Sequence, residues 1–380
     1  MVCVLQINNI QMAFGIYMKN FFSRTRVVLK VLYIKSTFIR ASLSNISIRF
    51  FSLNRYLSSI YYGFFSLAMS REAYAVLRGK KMYYEGCSGA YFCLVRNVHR
   101  LEKALCMPDR RPTFAKDYIQ ETVAAYNLLI TKRVEIDNIQ EQLYWATGVL
   151  NKYFSVVFFD SNIEKAQNLY IKAREKLDVN INGIGEGLIP YQRKSLPKSN
   201  VSFEELLILS KQRRSVRWYE DRKIDRELID KAILIASMAP SACNRQPFEF
   251  KVFDEPELVK KEINIPMGTA GWSHEPPVVV AVVGQLRAYF SERDRHIIYI
   301  DGSLASMAFM YGLEALGLSS CPINFPDIAA REKMAKLTMG LMDDERVIMM
   351  IAVGYANPEG YIPYSQKKSL DQIRSYNKLC

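Results

Sequence analysis

Three arginines and a serine fall within five residues of one another in the segment Arg213-Arg214-Ser215-Val216-Arg217. A guanidinium is always charged at neutral pH and binds oxygen atoms through a planar fork of N–H donors. Three such groups beside a hydroxyl are suited to a doubly charged phosphate. A basic run is often only a solvated surface, so this segment alone is weak evidence for a phosphate site. A second motif strengthens that interpretation.

The second motif is a polar turn, Pro240-Ser241-Ala242-Cys243-Asn244-Arg245-Gln246-Pro247-Phe248. It offers backbone N–H groups and the side-chain amides of Asn244 and Gln246, which could recognise a heterocycle. Clusters of Pro, Ser and Asn are also typical of ordinary loops. The functional interpretation therefore depends on the two motifs occurring together and in this order.

Each motif lies at the end of a predicted helix. Ser202-Phe203-Glu204-Glu205 is a capping box, and the helix that it opens delivers residues 213–217. A second helix starts after Asp225 and stops at Pro240, where the polar turn begins. Its buried face consists of Leu228, Ile229, Ala232, Ile233 and Ala236.

The strands and helices that follow predict an α+β layer structure. Phe248, Phe250 and Val252 alternate as in a half-buried strand, and the unbroken apolar run 278–283 is suited to the centre of a sheet. The remaining predicted elements are a helix from about Asp301 to Leu316, a strand at Cys321 to Phe325, a helix from Asp327 and a strand from Val347 to Gly354.

Five segments in this order resemble the nitroreductase family of FMN-dependent oxidoreductases, over about residues 200–375. They are Arg213 to Arg217, Pro240 to Phe248, Asp301 to Ala305, Leu316 to Asn324, and Val353-Gly354-Tyr355 with the later Lys367-Lys368-Ser369-Leu370. The resemblance implies a mainly antiparallel central sheet flanked by helices, and a homodimer with two FMN molecules at the subunit interface.

The resemblance also implies roles for individual residues. Those around the ribityl phosphate would be Arg213, Arg214, Ser215 and Arg217, joined by Lys367 and Lys368. Those along the flavin ring and ribityl chain, from the partner chain, would be Pro240, Ser241, Ala242 and Asn244, with Gln246 tying the turn together. Pro322, Ile323 and Asn324 would pass the reactive edge of the flavin, where a backbone N–H can donate to N5.

The implied reaction transfers hydride from NADH or NADPH through flavin N5 to an electron-poor acceptor: a nitro compound, a quinone or a biosynthetic intermediate. No catalytic side chain is required, and the sequence has no Ser-His-Asp spacing or nucleophile elbow. Asp343-Asp344-Glu345 lies between a predicted helix and strand, and we expect it to be a solvated loop.

The chain departs from the family pattern in three ways. Phe248 stands where the family has tryptophan, and Lys367 stands where it has arginine, which keeps the charge but loses the fork. An extension of about 200 residues precedes the FMN-binding domain. The sequence therefore specifies the cofactor better than the acceptor.

Composition limits the other classes of function. The net charge is +13, but residues 1–70 contain eight Lys or Arg and no Asp or Glu, so the rest of the chain carries only +5. That distribution, without aromatic platforms in a basic stripe, argues against nucleic-acid binding. Seven scattered cysteines and three histidines give no metal-ligand spacing or disulfide framework, and they favour a reducing, cytoplasmic location.

We predict four parts: a basic apolar leader (1–70), a helical domain (71–177), a linker (178–200) and the FMN-binding domain (201–380). Three interpretations of the leader stay open: a membrane-surface anchor, an organelle transit peptide, or sequence that packs on the body. The alternative to an enzyme is a membrane-associated, non-catalytic scaffold or accessory protein with a degenerate flavin domain.

Overall fold

The computed structural model describes residues 47–132, 139–177 and 187–377, and the chain divides into two compact units, 1–71 and 72–380. Residues 178–186 of the predicted linker and most of the predicted leader lie outside the described residues. Among the described residues, no helix combines the length and apolar character that a membrane crossing requires.

The described part of the first unit is helical. Helix α1 (Arg55–Ile60) begins at Asn54, whose side chain accepts hydrogen bonds from two backbone N–H groups of the first turn. A turn of π-helix (Tyr61–Phe65) follows directly. Tyr61 and Phe65 stack with ring centroids 6.4 Å apart, so aromatic contacts add to the backbone bonds of this segment.

Eleven further α-helices and four strands occur among the described residues from Ser70 onward. The helices are α2 (Ser70–Tyr84), α3 (Gly86–Leu105), α4 (Ile119–Thr131), α5 (Gln140–Val156), α6 (Ser161–Arg174), α7 (Phe203–Gln212), α8 (Arg226–Ser237), α9 (Pro256–Glu262), α10 (Ile297–Ala315), α11 (Ala329–Met339) and α12 (Leu370–Ile373). The strands are β1 (Phe248–Phe253), β2 (Val278–Gln285), β3 (Ser319–Asn324) and β4 (Glu345–Gly354).

Helices α2 to α6 bury a shared apolar core. Large side chains from different helices, such as Leu94, Tyr126 and Tyr153, are fully buried in it. The Tyr126 hydroxyl lies 2.6 Å from Thr147 Oγ1, which satisfies both polar groups inside this core. Residues 286–298 of the C-terminal part contribute to the same core, and the domain boundary at 178–200 stays a prediction.

The four strands form one antiparallel sheet in the order β1-β2-β4-β3. The run 278–283 is buried on both faces and lies inside the sheet, which confirms its predicted place. Helices α8 and α10 cover one face, while α9 and α11 contribute to the core on the other. The predicted α+β layer structure is confirmed, and β3 is an edge strand.

Local predictions in this part held closely. Ser202 and Glu205 form the predicted capping box at the start of α7, and α8 begins at a cap formed by Asp225. Helix α10 starts about one turn before the predicted Asp301, so this residue lies inside the helix rather than at its first position.

The prediction of a solvated loop at residues 343–345 was wrong. Asp344 is fully buried, and its carboxylate accepts a hydrogen bond from Arg287 Nη1 at 2.7 Å. The second guanidinium nitrogen of Arg287 donates to Glu345 at 2.6 Å. Burial raises the pKa of Asp344, and the positive charge of Arg287 opposes that rise. A buried arginine 57 positions away in the chain is the reason that the acidic run is not solvated.

Candidate cofactor site

The arginine-rich segment runs along the free edge of β3. Ser215 forms a parallel bridge with Ser320, and the Val216 N–H donates to Ser320 O at 3.1 Å. Tyr219 holds the segment in place. Its ring is buried against Gly354, and its hydroxyl donates to Val216 O. A Cβ at Gly354 would lie 2.4 Å from the Tyr219 ring, so glycine is required for this contact.

Two polar atoms in this place are buried without a partner in the part of the chain that the structure describes. They are Arg213 Nε and Ser320 Oγ. An orphaned buried donor costs free energy, so such atoms indicate a ligand that would complete them. We define the phosphate cradle as Arg213, Ser215, Arg217 and Ser320.

A buried carboxylate accompanies the cradle. Glu314 on α10 is 8% exposed, and the Arg213 guanidinium is close enough to affect its ionisation. Burial raises the pKa of Glu314, whereas a hydrogen bond from Gln212 and the charge of Arg213 oppose that rise. Burial likewise raises the pKa of the Cys321 thiol, with Arg217 opposing. The cradle therefore combines half-buried cationic side chains with the buried Ser320 hydroxyl.

The structure does not bring every predicted phosphate residue into the cradle. Arg214 is half-buried beside it. Lys367 and Lys368 are exposed on the C-terminal segment 359–377, where Gln366 Nε2 donates to Lys367 O. Their role at the phosphate stays a prediction.

The polar turn, loop 240–248, joins α8 to β1. Pro240 and Gln246 are exposed, while Ser241, Ala242 and Asn244 are half-buried. Ser241 Oγ accepts from the Gln246 N–H at 3.0 Å, and Gln246 Nε2 lies 3.5 Å from Asn244 Oδ1. These contacts are the kind expected of a residue that ties the turn together.

Three residues of β3 are predicted to pass the reactive edge of the flavin. The edge position of this strand indicates which of them has an outward-facing backbone N–H. Because Ser320 O faces outward to Val216, and backbone groups alternate along a strand, those of Pro322 and Asn324 also face the free edge. Proline has no N–H and is tolerated at an edge for that reason. Ile323 is buried and its backbone faces β4, so Asn324 N–H is the donor available there.

Sequence reasoning missed two residues of this region, Ser320 and Glu314. Ser320 and Glu314 lie inside or beside the family-like segments, but neither residue type carries a signal of its own. Their importance arises from burial beside Arg213, which a single sequence does not show.

The cradle at the edge of the sheet and the outward backbone donor on the same strand are the kinds of donor that an extended phosphate-bearing cofactor requires. Residues 210–267 and 260–355 match the model of the nitroreductase family. Residues 210–355 of this chain resemble that family, and the α+β fold with preceding helices agrees with this resemblance.

The chain is also similar to individual proteins and to a solved structure. Iodotyrosine deiodinase 1 of Homo sapiens is 26% identical over 211 residues, which are 48% of this chain and 71% of that protein. A protein of Archaeoglobus fulgidus with the provisional name NADH dehydrogenase/NAD(P)H nitroreductase is 29% identical over 158 residues, 41% and 88% of the two chains. The solved structure of an FMN-dependent nitroreductase from Clostridium difficile R20291 is 21% identical, covers 45% of this chain and 98% of its own, and has a TM-score of 0.39.

Nitroreductases in general use FMN with NAD(P)H and are typically homodimers. The residues present fit such a group, because the cradle offers buried cationic and hydroxyl donors to a phosphate, and Asn324 N–H lies beyond them on the same edge.

Proposed function

We propose that the chain is an FMN-dependent oxidoreductase that passes hydride from NAD(P)H to an electron-poor organic acceptor. The observation that carries the proposal is the pair of orphaned buried atoms, Arg213 Nε and Ser320 Oγ, within a family-matched segment. A phosphate of about −2 charge in a desolvated place needs several charge-assisted donors, and the cradle supplies them.

The chain's own residues would bind and orient the cofactor. Arg213, Ser215, Arg217 and Ser320 would hold the phosphate, and Asn324 N–H would donate to N5. When bound, FMN supplies the hydride chemistry at N5. Loop 240–248 would contact the ring in a partner chain, as the family's usual homodimer requires.

The acceptor is proposed by class only: a nitro compound, a quinone or a biosynthetic intermediate. The relatives that bear the name iodotyrosine deiodinase add a specific candidate, reductive removal of iodine from an iodotyrosine. The acceptor panel should therefore include a nitroaromatic compound, a benzoquinone and 3-iodotyrosine.

The test is the visible spectrum of the purified full-length protein, before and after anaerobic NADPH and then NADH. We expect flavin bands that bleach, FMN identified by mass after extraction, and reoxidation by at least one acceptor class. Protein that takes up no FMN on reconstitution would contradict the proposal. Bound FMN that neither nucleotide bleaches would favour the non-catalytic scaffold.

We also propose that residues 1–70 contact a membrane surface. Within residues 47–70, large apolar side chains are exposed in a segment with two arginines, and Phe64 is 84% exposed. Exposed aromatics with basic residues favour an anionic bilayer surface. The full chain should sediment with anionic lipid vesicles, and chain lacking residues 1–70 should stay in the supernatant. Replacement of Phe64 and Phe65 by serine should weaken the sedimentation, and unchanged sedimentation of the truncated chain would contradict the proposal.

A further inference from the structure

Loop 240–248 has an unusual backbone. Cys243, Asn244 and Gln246 all have positive φ, at 53°, 54° and 47°. Residues with a Cβ in the left-handed region cost on the order of 1–3 kcal/mol each, and such conformations persist only where neighbours hold them. Asparagine tolerates the region best, so Cys243 and Gln246 require the stronger support.

The contacts that hold this backbone meet at Ala242, the residue before the left-handed positions. Its N–H donates to Asp301 Oδ2 at 3.0 Å, and its carbonyl accepts from Arg245 Nη1 at 3.2 Å. Asp301 is 3% exposed and Arg245 is 4% exposed. Both backbone polar groups of Ala242 are therefore held by buried charged side chains.

Tyr289 completes this arrangement. Its hydroxyl donates to the same Asp301 Oδ2 at 3.1 Å, and the Arg245 guanidinium lies 4.9 Å from its ring centroid. Asp301, Arg245 and Tyr289 thus form one network, which we call the Ala242 clamp. The carboxylate is its central acceptor, because it receives bonds from the loop and from the tyrosine.

The clamp rests on the helical region. Tyr289 and Ala242 both pack on the core built by α2 to α6. The neighbouring Phe290 contacts Tyr83 of α2 and lies beneath Arg96 of α3, at centroid distances of 5.9 Å and 4.8 Å. The helices ahead of the family domain therefore support the loop predicted to contact the cofactor.

We propose that Asp301 is a positioning residue, which clamps the Ala242 amide and thereby holds loop 240–248 in the left-handed form that meets the flavin. The expected effect of Asp301 on FMN affinity rests on the proposed function. Its structural part concerns the loop alone and can be measured without cofactor.

The experiment compares Asp301→Asn, Asp301→Ala and Tyr289→Phe with Glu262→Gln, a buried carboxylate that contacts Thr338 and not the loop. Hydrogen exchange of the peptide 240–247 is measured in apo protein, and FMN affinity is measured by fluorescence titration. We expect Asp301→Asn to bind FMN about 5-fold more weakly, since a charge-assisted bond is roughly twice as strong as a neutral one. Asp301→Ala should lose about 30-fold or more, and Tyr289→Phe should stay within about 2-fold, because it leaves the Ala242 bond in place.

Exchange in 240–247 should accelerate in the two Asp301 variants and not in Glu262→Gln. Adding Cys243→Gly should shrink the effect of Asp301→Asn, because glycine removes the strain that the clamp holds. Wild-type exchange and wild-type FMN affinity in folded Asp301→Asn would overturn the proposal, even if Asp301→Ala fails to fold. Wild-type protein that binds no FMN would contradict the proposed function instead. In that case, the hydrogen-exchange result would still decide whether Asp301 holds the loop.

Discussion

The phosphate cradle and loop 240–248 differ in how far the protein itself satisfies their polar groups. In the cradle, Arg213 Nε and Ser320 Oγ are buried and have no partner in the described chain. In the loop, both backbone groups of Ala242 are bonded to buried side chains, although the backbone is strained and Arg245 Nε has no partner in the described chain. A ligand would complete the donors of the cradle, whereas the protein itself holds the backbone of the loop.

This difference predicts different responses to mutation. A cradle side chain contributes to ligand binding but satisfies little in the apo protein, so its loss should reduce affinity without lowering stability. A clamp side chain maintains a strained backbone, so its loss should alter the loop whether or not the ligand is present.

The largest expected effect comes from removing two cradle donors. Arg213→Ala combined with Ser215→Ala should weaken FMN binding by about 100-fold or more, because hydrogen bonds to a charged group contribute roughly 1.5–3 kcal/mol each. Far-UV helicity should not change. Arg222→Ala is the matched control, since its guanidinium lies 3.8 Å from the Tyr355 ring centroid and outside the cradle. Stoichiometric FMN in the double variant would contradict the assignment of Arg213 and Ser215 to the FMN phosphate.

Much of the domain around these two regions follows from local sequence. The apolar run 278–283 and the Ser202–Glu205 capping box each specify an element through neighbouring residues, and both occur as predicted. The two site motifs were also visible, since each concentrates its chemistry within nine residues or fewer.

The contacts that complete the site are long-range and were not predictable in this way. Asp301 is 59 positions from Ala242, and Arg287 is 57 positions from Asp344. A helical period shows that α3 has an apolar face but not that this face shares a core with Tyr289. Burial of an acidic side chain depends on such a partner, which is why residues 343–345 were wrongly expected to be solvated.

A second test concerns the core on which the loop rests. Burial raises the pKa of Tyr83 and of Cys93 to about 12. Above pH 9 to 10 the unfolded chain loses these protons while the folded chain keeps them, so stability is present at lower pH and falls as pH rises toward 12. Each group contributes a slope of about 1.4 kcal/mol per pH unit in that range.

Cys93→Ser should reduce the fall in melting temperature between pH 9 and pH 11, because serine does not titrate there. Cys106→Ser, which changes an exposed thiol of the same helical region, should follow the wild type. If the Cys93 and Cys106 variants have the same pH profile, the Cys93 thiol is not held neutral by the core beneath the loop.

The smallest expected effect is that of Ser320→Ala, which should raise the stability of the apo protein but weaken FMN binding. Ser320→Ala removes a buried hydroxyl that has no partner in the described chain, so apo protein should become more stable, by about 1 kcal/mol. With FMN present, the same variant should lose a phosphate contact and bind about 5-fold more weakly. Thermal melts with and without saturating FMN measure both. If Ser320→Ala destabilises the apo protein and leaves FMN affinity unchanged, Ser320 is not part of the cradle, and the contrast between the two regions rests on Arg213 alone.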